Sequence, residues 1–132
     1  MKKLYKDIRS QVSAVVNEKN NELFKLLCHE HPADIAQFLS TLSKKDFEIL
    51  FSSFSRELKY SIFSNLTDSL RAYALLFLNE EEVSHVLKKS SAEKLIKLLD
   101  YLTDADLKKY LNLLQAKDRE KVVAMLKIKS DT

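Results

Sequence analysis

The chain has no glycine, and Pro32 is its only proline. Tight hairpins, phosphate-cradling loops and sharp β-corners lean on glycine's freedom at positive φ. Sheet-rich folds and nucleotide-loop enzymes are therefore disfavoured from the outset. Cys28 is the only cysteine, which excludes an intrachain disulfide and suits a reducing compartment. There is no tryptophan, and most Phe and Tyr residues fall in apolar columns, so base-stacking platforms are not expected. No stretch approaches the ~20 apolar residues of a membrane span. Tyr5, Lys6, Asp7 and Arg9 stand where a signal peptide needs its apolar run. An excess of one charge is missing too: 22 basic against 19 acidic residues leave +3, with the signs interspersed, which is not the footprint of a nucleic-acid binder.

What is present is a repeat. Ser43, Ser55, Thr67, Asn79, Ser91 and Thr103 are spaced by twelve, and each is a good helix N-cap. Counted from these caps, with His31 and Gln115 extending the register, apolar columns recur. Offset seven holds Phe38, Leu50, Ile62, Ala74, Val86, Leu98, Tyr110 and Val122. Offset eight holds Leu39, Phe51, Phe63, Leu75, Leu87, Leu99, Leu111 and Val123, and offset eleven runs from Leu42 to Leu126 with Ser90 as its polar member. Offsets seven, eight and eleven share one helical face. Each unit is thus a helix of about ten residues followed by a tight turn. Helices that short are marginal alone in water, so they must stack: successive helices fold back as antiparallel pairs, and pairs build a solenoid.

The third residue after the cap is acidic in several units (Asp34, Asp46, Glu82, Asp106 and Asp118), which favours the positive helix end. After Ser43, Asn79 or Thr103 it can also close a capping box. Leu58 and Leu70 take that place in two units, followed by Lys59 and Arg71, and mark a change of buried face. Ahead of the repeat, Leu4, Ile8, Val12, Val15 and Val16 form one stripe, which predicts a single longer helix. The Asn17 to Asn21 segment breaks it, and Asn20 or Asn21 caps a second helix carrying Leu23, Leu26 and Leu27.

Little chemistry is on offer. There is no G-x-S-x-G, P-loop, H-E-x-x-H or CxxC pattern. The densest titratable cluster is Cys28, His29, Glu30, His31 and Asp34. Zinc would take Cys28, His31 and Asp34, but no second Cys/His pair follows to complete a tetrahedron. The simpler reading makes His31 a cap, Pro32 the first helical residue and Asp34 a partner of the helix dipole. His85 reads as a surface histidine, and the lysine pairs at 2–3, 44–45, 88–89 and 108–109 read as solvated helix ends.

The segment HPADIAQFLSTLSKKDFEILFSSFSRELKYSIFSNL, from His31, resembles the N-terminal domain of MgtE-type magnesium transporters. His31, Pro32, Asp34, Ile35 and Ala36 match that family's opening, and Thr103–Leu107 with Lys117, Asp118 and Arg119 resemble its later turns. The fold expected is all-α: a right-handed superhelix, or solenoid, of short antiparallel helices with a roughly twelve-residue repeat. One domain is expected over 1–132, with leading helices at 1–30, repeats at 31–128 and the start of a linker at 129–132.

The resemblance implies a cytoplasmic magnesium-sensing and gating domain, not an enzyme, followed in the full-length protein by a CBS pair and a dimeric membrane pore. It places the domain at the cytoplasmic side of the bacterial inner membrane, with the fragment itself soluble and without nucleic-acid or small-molecule partners. Mg²⁺ would bridge this domain to the CBS pair through positions that fall at Ser61, Glu93 and Lys97 in this sequence, of which Glu93 alone is acidic. Asp100, Asp104 and Asp106 are the next carboxylates to consider for an internal site. The rival expectation is a protein-binding α-solenoid, like a flagellar rotor-switch module, with no metal role.

Overall fold

The cap register is where the fold begins. In a computed structural model the structure describes residues 1–18 and 21–130, with side chains described as far as Met125. The Ser43 and Ser55 hydroxyls accept from the Asp46 and Leu58 N–H groups at 3.2 and 3.3 Å. Those of Ser91 and Thr103 accept from Lys94 and Asp106 at 3.3 and 3.2 Å. Asn79 accepts from the Glu82 N–H at 2.8 Å, and the Glu82 carboxylate accepts in return from the Asn79 N–H at 3.0 Å, closing a full capping box. At the repeat's opening the His31 ring accepts from the Ala33 N–H at 3.0 Å, with Pro32 in the first helical position, where a missing N–H costs nothing.

Among the described residues there are eleven helices, 76% of the chain, and no strand: α1 Lys3–Arg9, α2 Val12–Asn17, α3 Glu22–Cys28, α4 Pro32–Ser40, α5 Lys44–Ser53, α6 Arg56–Asn65, α7 Asp68–Leu75, α8 Glu80–Lys89, α9 Ala92–Leu99, α10 Asp104–Leu113 and α11 Ala116–Ser130. The junctions explain how a chain without glycine turns so often. Phe54 and Ser55 between α5 and α6 have φ of −74° and −62° with ψ of 156° and 159°. Two extended residues reverse the chain, and no left-handed residue is needed. Phe54, Leu66 and Leu114, each just before a new helix or its cap, are themselves only 4% exposed, so these turns carry part of the core.

The chain divides into two compact units, Met1–Thr67 and Asp68–Thr132. Close packing falls mostly between helices two places apart, the exception being α2 on α5 in the first unit. In the first unit α4 packs on α6 and α1 on α3, with α2 on α5 beside them; in the second, α7 packs on α9, α9 on α11 and α8 on α10. That is the stacking of a two-helix repeat, in which like members of successive pairs lie together. The apolar columns supply the contacts. All eight offset-seven residues, Phe38 to Val122, are buried.

One expectation needs correction. The leading stripe is not one helix: α1 ends at Arg9 and α2 begins at Val12, because Gln11 leaves helical geometry (φ −148°, ψ 43°) and the Ser10 hydroxyl bonds back to the Asp7 carbonyl. Ile8, Val12 and Val15 are nonetheless buried as the stripe requires. Asn21 caps α3 through the Leu23 and Phe24 N–H groups, while Asn20 lies outside the described residues.

Candidate functional site

Helix α9 carries the one acidic position singled out for metal. Its sequence AEKLIKLL turns Leu95, Ile96, Leu98 and Leu99 inward, all buried, and so leaves Glu93, Lys94 and Lys97 exposed. Glu93 sits in the first turn, where the helix dipole favours an anion, and Lys97 in the last, where it favours a cation. Glu93 and Lys97 are also four apart, neighbours on one stripe in the favourable acid-before-base order. The fold brings these two side chains onto one surface. Ser61 belongs to the other unit, exposed on α6, where its carbonyl accepts from Ser64 Oγ and Asn65 Nδ2 at 2.9 and 2.8 Å.

The remaining candidates do not assemble into a centre. Asp100 caps the C-terminal end of α9, and Asp104 and Asp106 occupy the first turn of α10. Among the described residues no three His, Cys, Asp or Glu side chains converge as ion ligands. His31 spends a ring nitrogen on its cap, Asp34 lies in the first turn of α4, and Cys28 is half-buried, its thiol pushed up by desolvation. His85 is exposed on α8.

Pattern reading missed the polar clasp of the first unit. Tyr5 of α1 stacks on Phe38 of α4 at 4.6 Å between ring centroids, Lys2 pairs with Glu30, and the Arg9 guanidinium donates to the Thr41 hydroxyl. Burial first, then the neighbouring Glu30 and Asp34 carboxylates, push the Tyr5 hydroxyl up to about 12. The hydrogen bond from Lys2 holds the Glu30 carboxyl below the ordinary glutamate range. Lys2, Tyr5 and Phe38 line a hollow of about 240 Å³ together with Asp34, Gln37 and Thr41. Arg119 was missed for another reason. It occupies the largely apolar offset-four column (Ile35, Phe47, Val83, Leu95, Leu107), yet it donates to the Leu111 and Leu114 carbonyls, both at 3.1 Å, and ties off the end of α10.

The sequence model of the MgtE intracellular N domain matches residues 30–131. The chain belongs to this family. No curated protein matches the chain significantly. The matched region opens one residue before the His31 cap, so α1, α2 and α3 precede it. MgtE is a magnesium transporter, and its N domain is the cytoplasmic part of that membrane protein. Among the described residues no helix is long and apolar enough to cross a membrane.

Proposed function

We propose that this chain is the regulatory domain of an MgtE-type magnesium transporter, setting the activity of a pore carried elsewhere in the full-length protein. The family match over residues 30–131 is the observation that carries this reading. The partners are a CBS pair and a membrane pore of the same polypeptide, in a homodimer at the cytoplasmic side of the bacterial inner membrane. As in the family, the domain holds a compact arrangement against the CBS pair when intracellular magnesium is high and releases it when magnesium is low.

On this reading the domain alone holds Mg²⁺ only weakly, since no three His, Cys, Asp or Glu side chains converge among the described residues. Mg²⁺ is a hard cation that needs convergent oxygens, and Glu93 is followed by two exposed ammonium groups, Lys94 beside it and Lys97 one helical turn on. Any metal contact at this surface is therefore interfacial, with Glu93 supplying one carboxylate and the partner the rest. Lys97 adds a fixed positive charge to the same stripe, which suits direct pairing with an acidic partner face.

The test is magnesium flux through the full-length transporter as intracellular magnesium is varied. Deleting this domain should leave transport intact and flatten its dependence on intracellular magnesium. An unchanged dependence after deletion would overturn the reading.

A further inference from the structure

The lysines of the second unit are unevenly placed. No Asp or Glu stands between Glu82 and Glu93, or between Asp106 and Asp118. These acid-free stretches are the later parts of α8 and α10 and the turns after them. The acids of both helices gather at the opposite ends: Glu80, Glu81 and Glu82 in the first turn of α8, Asp104 and Asp106 in that of α10. The two helices pack on each other and start at Glu80 and Asp104, so residues 24 apart (104 − 80) occupy equivalent places. Ser84 matches Lys108, His85 matches Lys109 and Lys88 matches Asn112. Val83, Val86, Leu87 and Tyr110 are buried, and Lys88, Lys89, Lys108 and Lys109 are exposed. None of these four lysines has an ion-pair partner among the described residues.

We propose that the α8–α10 face docks on an anionic lipid surface. Lysine is a compact, strongly hydrated point charge without arginine's bidentate fork, and it suits mobile headgroups better than fixed carboxylates. Spread over two helices, four such charges make a diffuse electrostatic contact. The exposed large apolar side chains, Met1, Leu26, Leu76 and Tyr101, are on neither helix, so the contact is superficial and nothing inserts. The bilayer is the partner of choice because the family is the intracellular part of a membrane protein. The proposal takes only that placement from the function argued above, not its dependence on magnesium.

Sedimentation of the 132-residue chain with vesicles tests it, comparing phosphatidylcholine alone with phosphatidylcholine containing phosphatidylglycerol. Each lysine near such a surface contributes on the order of fivefold in partitioning, less at high salt. The chain should bind the anionic vesicles and not the neutral ones. Lys88→Gln, Lys89→Gln, Lys108→Gln and Lys109→Gln together should weaken binding by roughly several hundredfold at low salt, with helicity checked by circular dichroism. The pair Lys88→Gln and Lys89→Gln should give a partial loss. Removing the same charge from Lys3, Lys6, Lys44 and Lys45 should leave binding within about threefold. No binding to the anionic vesicles, or equal loss in both quadruple variants, overturns the proposal. Binding to soluble polyglutamate without vesicle binding also overturns it, making an acidic protein the occupant. Vesicle binding is read on this chain without flux, so its failure and that of the regulatory reading are separate results.

Discussion

Tyr5 shows how one side chain couples α1 to the repeat. Its hydroxyl is buried without a hydrogen-bond partner, an arrangement that costs about 1–3 kcal/mol, while its ring stacks on Phe38. Tyr5→Phe keeps the ring and removes the stranded group, so it should leave stability at neutral pH unchanged or slightly raised, as read by urea denaturation. The same variant tests the alkaline limb. A folded pKa raised from 10.0 to about 12 means the folded state holds the proton more tightly, so the stabilisation is complete below 10 and is lost as pH rises through 12. Tyr110 is shifted the same way, by burial first and then by Asp106, so Tyr5→Phe should remove part of that alkaline loss, not all. Glu30 has the opposite sign: its lowered pKa gives stability that is present above the ordinary carboxylate range and lost as pH falls through the folded value. Asn79 is the sharpest cap to test. Asn79→Ala removes the side chain that accepts from Glu82, and with it the reciprocity of the box, and should cost about 1–2 kcal/mol.

A helix of eight to ten residues holds its shape only through the face it buries, and the columns rank the helices. Leu99 on α9 is 4% exposed, so Leu99→Ala should cost on the order of 2–5 kcal/mol. Leu111 occupies the same column on α10 but is only half-buried, so Leu111→Ala should cost clearly less; equal losses in urea titrations would mean the offset-eight column is not graded as described. The difference could not be read from the sequence, because a column says which side faces inward and not how much lies above it. Caps and offset-seven residues were legible because each depends on residues within one turn: Ser55 needs only Leu58, and Asn79 only Glu82. The split between α1 and α2 was not legible, since the apolar stripe from Leu4 to Val16 runs on through the break at Ser10 and Gln11. The clasp of Tyr5, Phe38, Lys2 and Glu30 joins positions about thirty apart, and no period announces it. Of the candidate metal positions, the exposure of Glu93 and Lys97 follows from the pattern of α9 alone. Ser61 is tied to them only through the family, since no local interaction links α6 to α9 in sequence.

At the scale of the whole molecule, the lack of convergent carboxylates among the described residues bears directly on magnesium. A site saturated a hundredfold above its Kd would stabilise the fold by about 2.7 kcal/mol and raise the thermal midpoint on the order of 10 °C. Heating this chain in magnesium chloride against sodium and potassium chlorides of matched ionic strength should leave the midpoint unchanged. A large Mg²⁺-specific rise would point to an internal site, with Asp100, Asp104 and Asp106 the first carboxylates to replace. The second-neighbour stacking of the second unit carries a different consequence. The sequence counts in twelves, but like helices recur every twenty-four residues, from Asp68 to Ala92 to Ala116. Inserting one twelve-residue unit would preserve every cap and every column and still exchange odd helices for even ones downstream, moving α8-type surfaces to α9-type places. Two units would restore the order. Length changes in this unit therefore have a parity, and only the even ones are architecturally silent.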